Sequence, residues 1–555
     1  MKRVRRSGQL ARINISVVRD SPCETSRFSN EEVIVKKLTC LAALLFAQTL
    51  CAQSSLDQAI QSVTARPQFR HASFGVEIYS TRTNRAIYQL NQDHLFIAAS
   101  TTKLITEGTA LDLLGADYRF HTRVYRLGQV SSDGTLKGNL VLVGSGDPNL
   151  SNRIQKDGTL AFEDEDHSYG GPPLAGDPLV VPREMVDQII AHGIKRIDGR
   201  VLVDATLFPE GTPEGGTGAI ISPIVVNDNW VDVNFTPGNV EKSAARMKVS
   251  PETAYVNIVN QVVTGDSKAK TSIDTDETEN PDGSRTVTYR GRIKLGGAVE
   301  YSPYAIREPG KFSELALTQI LKERGVLVDG SSSIKKPDFH SLAASYITDN
   351  VVAEHVSPPL SEDVKITLKV SQNLHASMMP YVLGALLAHK SEKSDEAGFG
   401  LERDVLRKAG LDLNGASQSD GAGAHAMFSP DFMVHYLAYR RNQKDFGVFR
   451  KGLPILGHDG TLASVQKQSS AAGHVFAKTG TLFEDDLLNG HRLYTGKGLA
   501  GFITAKNGDE LIFAAYVSMA EIADDSDEAK KSVGEALGEI ASAAYRYDAD
   551  ATDRK

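Results

Sequence analysis

Three short runs of residues carry chemistry that belongs together: Ser-Thr-Thr-Lys at Ser100–Lys103, Ser-Gln-Asn at Ser371–Asn373, and Lys-Thr-Gly-Thr at Lys478–Thr481. Residues three apart share a helix face at about 5–6 Å. Lys103, once burial has stripped its proton, can therefore act as general base on the Ser100 hydroxyl. The Ser371 hydroxyl can bridge Lys103 and Lys478 and carry a proton to a departing amine, while the Asn373 amide holds a substrate carbonyl. Lys478 and Thr479 offer a charge and a hydroxyl to a terminal carboxylate, and Gly480 lets the substrate approach with no Cβ in its path. The backbone N–H groups of Thr481 and Ser100 complete an oxyanion hole. The chemistry is acyl transfer through a serine ester.

Each run is weak alone. Ser-x-x-Lys recurs at Ser267–Lys270, Ser332–Lys335, Ser333–Lys336 and Ser464–Lys467, always in polar, turn-like sequence. Only Ser100 opens an apolar helical run, Leu104-Ile105 through Leu111-Leu113-Leu114. Ser-Gln-Asn by itself is an ordinary helix cap. Order and spacing join them: a nucleophile helix near the start, and a carboxylate-binding strand shortly before a terminal hairpin and helix.

Other chemistries find no footing. Gly144-Ser145-Gly146 follows an apolar strand, but Asn149 stands where a dinucleotide fingerprint needs glycine. Fourteen histidines include no His-Glu-x-x-His and none at metal-ligand spacing, so no metal and no organic cofactor is expected. A formal charge of −8 gives no basic surface for nucleic acid. Trp230, the single tryptophan, lies in a strand pattern and is expected in a core.

The elements that must position these residues come from both ends of the chain. Leu56–Val63 has a helical pattern, and Ser73–Ser80 with Arg85–Leu90 reads as a hairpin. The stretch Phe96–Gly115 reads as helix, stopping at the glycine. Lys478 closes the strand pattern His474–Ala477, whose edge can pair with an extended peptide. Near the C-terminus, Gly498–Thr504 and Leu511–Ser518 are strands joined through Asn507-Gly508, and Asp524–Tyr547 is a long amphipathic helix. One antiparallel sheet built from the two ends is predicted. The middle differs: short strands at Asn139–Val143, Arg200–Val203, Val231–Phe235 and Thr286–Lys294, a helix at Ser313–Arg324, and loop-like segments over 151–180 and 205–222.

The N-terminus reads as a leader. Lys36-Lys37 precede an apolar run from Leu38 to Cys51, about 14 residues, the pattern of a secretory signal peptide and too short to span a bilayer. All three cysteines (Cys23, Cys40, Cys51) fall in it, so the exported chain is expected to have no disulfide, no thiol nucleophile and no transmembrane segment.

Taken together, these residues resemble the penicillin-binding D-alanyl-D-alanine carboxypeptidase/endopeptidase family of the DacB type. The resemblance extends beyond the three motifs to Gly144–Pro148, Ile197–Gly199 with Val201–Phe208, Ser419–Gly423, and Leu453-Pro454 with Asp459–Leu462. It implies an α+β fold: a transpeptidase-like (β-lactamase-like) domain, with an antiparallel sheet flanked by helices, carrying two inserted, mainly β subdomains. The expected division is 1–52 leader, 53–118 first part of that domain, 119–345 insertion, 346–547 second part, and 548–555 tail. It also implies cleavage of peptidoglycan stem peptides in the periplasm through a Ser100 acyl-enzyme that β-lactam antibiotics trap. Asp204 matches an acidic position that faces the stem-peptide amine in relatives. Gln372, His375 and Ser377 depart from the family's usual Ser-Asp-Asn-Leu-Tyr-Ala-Glu, and Ala422 replaces a serine. Two alternatives stay open on sequence: a β-lactamase or esterase using the same acylation groups, and a degenerate envelope-binding protein.

Overall fold

The computed structural model describes residues 55–164, 166–330, 337–522 and 526–547. The leader, its cysteines and the tail lie outside the described residues.

Alternating apolar residues build a central antiparallel sheet from both ends of the chain. Its order is Val475–Asp486, His491–Thr504, Glu510–Ser518, Ser73–Ser80, Arg85–Leu90, with Ala520–Ile522 added beside His491–Thr504. Period two sends side chains to opposite faces. Leu511, Phe513, Ala515 and Val517 go one way, while Ile512, Ala514 and Tyr516 go the other. Both faces are therefore apolar, and both are covered. The first face meets helical backbone over 55–64 and the helix Asp527–Arg546, whose Val533, Ala536, Leu537, Ile540 and Ala544 recur at three- and four-residue spacing. The second face meets Lys103–Leu114, Leu360–Lys369, Asn373–Leu387 and Pro430–Arg441. Each fully buried large apolar side chain stabilises the packing by about 1.5–3 kcal/mol.

The middle of the chain adds three sheets. Leu327–Val328, Arg196–Ile197, Thr135–Val143, His121–Val130 and Val351–Val356 lie in that order, with Val201–Asp204 also along Thr135–Val143. Trp230–Thr236 pairs with Arg246–Ser250 and with the short strands Glu300–Tyr301 and Tyr304–Ala305. A three-stranded sheet holds Val256–Thr264, Arg285–Ile293 and Ser272–Glu279. One apolar cluster, running from Val124 to Ala353 in sequence and including helices Val180–Ala191 and Pro309–Glu323, joins these sheets.

Three sequence expectations need correction. Phe96–Gly115 is not helical throughout: Phe96–Ile97 pairs as a strand with Ala426–Phe428, Ala99–Thr102 is a 3-10 turn, and the α-helix starts at Lys103. The strand carrying Lys478 does not end there but runs to Asp486, because its hydrogen bonding to His491–Thr504 continues past the motif. The middle region does not close at 345, since Val351–Val356 pairs with His121–Val130 and completes that sheet.

Candidate active site

The 3-10 turn Ala99–Thr102 sets Ser100 against the edge strand. Ala99 is held at φ +46°, a left-handed conformation that a residue with a Cβ adopts only when its surroundings force it. The force comes from packing. A Cβ on Gly480 would stand 2.3 Å from the Ala98 carbonyl oxygen and 3.2 Å from the Ser100 nitrogen, and one on Gly423 would meet the Ala99 carbonyl oxygen at 1.9 Å. The glycine of the third motif therefore lets the nucleophile turn, rather than a substrate, come close. The same contact draws the amide of Ser100 toward the strand that carries Thr481.

Lys103, the first residue of the α-helix, is fully buried. Its Nζ lies 2.8 Å from Ser100 Oγ, 2.5 Å from Asn373 Oδ1 and 3.1 Å from both Ser371 Oγ and the Ser371 carbonyl. Burial pulls its pKa down to about 7, against the opposing pull of Glu214, Asp420 and Glu107. A neutral amine at that distance has a lone pair for the serine proton. Ser371, at φ +60°, turns its hydroxyl between two amines: Lys478 Nζ donates to Ser371 Oγ at 2.8 Å and to the Thr479 carbonyl at 2.9 Å. Burial, reinforced by Lys103 and Lys497, drives the Lys478 pKa well below its usual value. Lys478 Nζ thus points inward, at the Ser371 hydroxyl and the Thr479 carbonyl.

Ser100, Lys103, Ser371, Asn373 and Lys478 form one connected cluster, although 267 residues separate Lys103 from Ser371. Thr479 and Thr481 line a groove of roughly 480 Å³. Thr479 Oγ1 is 2.7 Å from Thr461 Oγ1, and Lys497 Nζ donates to Thr481 Oγ1 at 2.6 Å. Asp204 does not join the cluster. It accepts from Thr206 and from Tyr346 Oη (2.9 Å) and lines a different cavity, of roughly 560 Å³, with Arg200, Glu210 and Lys311.

Several residues near the site were not found by motif. Glu214, in the segment read as loop, accepts from Gly216, Thr217 and Gly218 of its own turn, which brings Gly216 against Asn373. Asp420 accepts from four successive amides, Ala422 to His425, so the loop is organised with no side-chain hydroxyl at 422. His375 lies between Asp363 (2.8 Å) and Asp228 (3.1 Å), and Asp228 also meets Arg153 and His167. This buried ionic network ties the middle region to the Ser-Gln-Asn helix, where Asn373 also donates to the Ser168 carbonyl. Glu107 carried a sequence signal, an acid four residues past Lys103 on an apolar helix. It is fully buried with neither oxygen hydrogen-bonded, and burial followed by Asp363 raises its pKa well above the usual value. A cluster of Asp486, His491 and Glu521 sits at the far end of the edge hairpin, outside the serine site.

Fold and site together define a serine acyl-transfer protein on a penicillin-recognising scaffold. Residues 56–540 match the family model for the D-Ala-D-Ala carboxypeptidase 3 (S13) family, and the chain belongs to that family. It is a serine-type D-Ala-D-Ala carboxypeptidase, a hydrolase. A D-alanyl-D-alanine carboxypeptidase of Actinomadura sp. (strain R39) is 26% identical over 459 residues, covering 79% of this chain and 78% of the relative. The penicillin-sensitive carboxypeptidase A of Dictyostelium discoideum is 23% identical over 437 residues, covering 74% and 76%. Penicillin binding protein 4 (dacB) from Haemophilus influenzae shares the fold, with a TM-score of 0.66 at 19% identity over 88% of this chain and 98% of that one. Among the described residues no helix is long and apolar enough to cross a membrane.

Proposed function

We propose that the chain is an exported D,D-carboxypeptidase/endopeptidase that cleaves D-Ala-D-Ala termini or D-amino cross-links of peptidoglycan stem peptides through a Ser100 acyl-enzyme. The observation that carries this is the Lys103 amine, enclosed and 2.8 Å from Ser100 Oγ, with a pKa brought down to about 7. Ser100 Oγ bonds to the carbonyl carbon as Lys103 takes its proton. The amide C–N bond then breaks, and the leaving amine receives a proton through Ser371 Oγ, which Lys478 holds from the other side at 2.8 Å. The N–H groups of Ser100 and Thr481 stabilise the oxyanion, and the Asn373 amide orients the peptide. Water attacks the ester, the acyl product leaves as a carboxylic acid, and Ser100 regains its proton.

The penicillin sensitivity of the Dictyostelium relative supports the expectation that a β-lactam acylates Ser100 and stays. The basic-then-apolar run ending at Cys51 supports export to the periplasm. Fluorescent penicillin is expected to label the protein stably, and the label should vanish in Ser100→Ala. A protein that never labels supports the envelope-binding alternative, and one that turns over penicillin faster than a D-Ala-D-Ala peptide is a β-lactamase. Mass spectrometry of defined muropeptides separates the two peptidase activities: loss of one alanine is carboxypeptidase, and conversion of dimer to monomer is endopeptidase.

A further inference from the structure

A substrate that ends in a carboxylate needs a cation beside that carboxylate once water is excluded. Lys478 is not placed to be that cation, because its Nζ is enclosed and spent on Ser371 Oγ and the Thr479 carbonyl. The groove that Thr479 and Thr481 open into is also lined by Asp164, Tyr169 and Thr461 and by the apolar Leu462, Val465 and Leu537. Among its described lining residues, one side chain is cationic: Lys497. Lys497 lies on the neighbouring strand directly across from Thr481, and its Nζ donates to Thr481 Oγ1 at 2.6 Å. Its stem rests over Gly534 of the C-terminal helix, where a Cβ would stand 3.6 Å from its Cε. No carboxylate among the described residues pairs with it, and an ammonium that makes one hydrogen bond keeps two donors for a ligand. Burial lowers its pKa to about 8, so it remains largely protonated at neutral pH.

We propose that Lys497, not Lys478, supplies the positive charge that anchors the substrate's terminal carboxylate between the Thr479 and Thr481 hydroxyls. This rests on the acyl-enzyme reading above and adds the residue that recognises the anionic end of the peptide. It also separates the work of the lysines: two manage protons inside, and the third, at the groove, holds charge.

Benzylpenicillin carries a carboxylate and its methyl ester does not, so intact-protein mass spectrometry of Ser100 acylation by each reads the charge directly. Lys497→Met is expected to slow acylation by the free acid 10- to 100-fold, to leave acylation by the ester within threefold, and to recover most of the loss when Arg replaces Met. The thermal midpoints of the three proteins show whether each is folded. Binding of an N-acylated D-Ala-D-Ala peptide and its C-terminal amide to Ser100→Ala, with and without Lys497→Met, tests the same contact with no acylation step. There the acid should weaken 10- to 100-fold and the amide should not. Equal losses for acid and ester, equal losses for acid and amide, or no loss in either series overturns the proposal. If wild-type protein is not acylated at all, the acyl-enzyme reading fails and the binding series alone decides the role of Lys497.

Discussion

Lys103, Lys478 and Lys497 are chemically identical side chains in three different electrostatic positions. Lys103 is buried among Glu214, Asp420 and Glu107, and its amine is brought to about 7. With the neutral form as the proposed base, acylation should rise with pH through about 7 and fall roughly tenfold per unit below it. Rates of penicillin acylation between pH 5 and 9 check this, and a flat profile contradicts Lys103 as base. Lys103→Met should cost roughly 10²–10⁴ in acylation rate, the usual worth of a positioned general base. Glu107 sits one turn further along with neither carboxyl oxygen hydrogen-bonded, and burial followed by Asp363 raises its pKa well above the usual value. Because neither of its oxygens hydrogen-bonds to the serine cluster, Glu107→Gln should leave acylation within about threefold, again read by penicillin labelling.

At the scale of elements, the site depends on how closely the nucleophile turn packs on the edge strand. Gly480→Ala places a Cβ 2.3 Å from the Ala98 carbonyl oxygen. Overpacking of this kind costs about 1–3 kcal/mol, and displacing Ser100 by about 1 Å can lower the rate 10²-fold. The expected result is a lower melting temperature together with slow acylation. A second contact between elements is the His167–Asp228–His375–Asp363 network. Burial disfavours both imidazolium ions, but Asp228, Asp232 and Asp363 more than reverse this and raise both pKa values to about 9. With an unfolded value of about 6.5, their stabilisation is complete below that pH and is lost as pH rises through about 9. Thermal melts should therefore show stability declining from pH 6.5 to 9.5. His375→Gln should lower stability at pH 6.5 and flatten that decline.

At the scale of the molecule, the middle region is built into the catalytic body and is not a removable appendage. Its own sheets share one apolar cluster, yet Phe208, Ile221, Val225 and Trp230 belong to the cluster that contains Leu104, Leu374 and Met378. Trp230, buried in that cluster, is a packing residue, as its strand pattern predicted. Excising residues 119–356 would expose this surface and cut the network at Asp228, so the joined ends should yield aggregated protein that penicillin does not label. Size-exclusion chromatography with a labelling assay checks this; a monomeric, labelling product would show the two parts to be independent.

The three motifs, the hairpins at both ends and the amphipathic terminal helix were legible because each depends on nearest neighbours and on a period of two or about four residues. The single cluster of Ser100, Lys103, Ser371, Asn373 and Lys478 follows from their combination. Other features were decided only when distant segments met. Asp204 was drawn to Tyr346 and a separate cavity by contacts that no local pattern encodes. Gly480 serves the Ala98 carbonyl, a neighbour set by packing between segments some 380 residues apart. Lys497 shows no motif, since its meaning lies in strand register and in its having no carboxylate paired with it among the described residues. Local sequence dictates which groups are present and how a few neighbours face one another, but burial and pairing decide which of those groups carry charge, and those are properties of the folded chain.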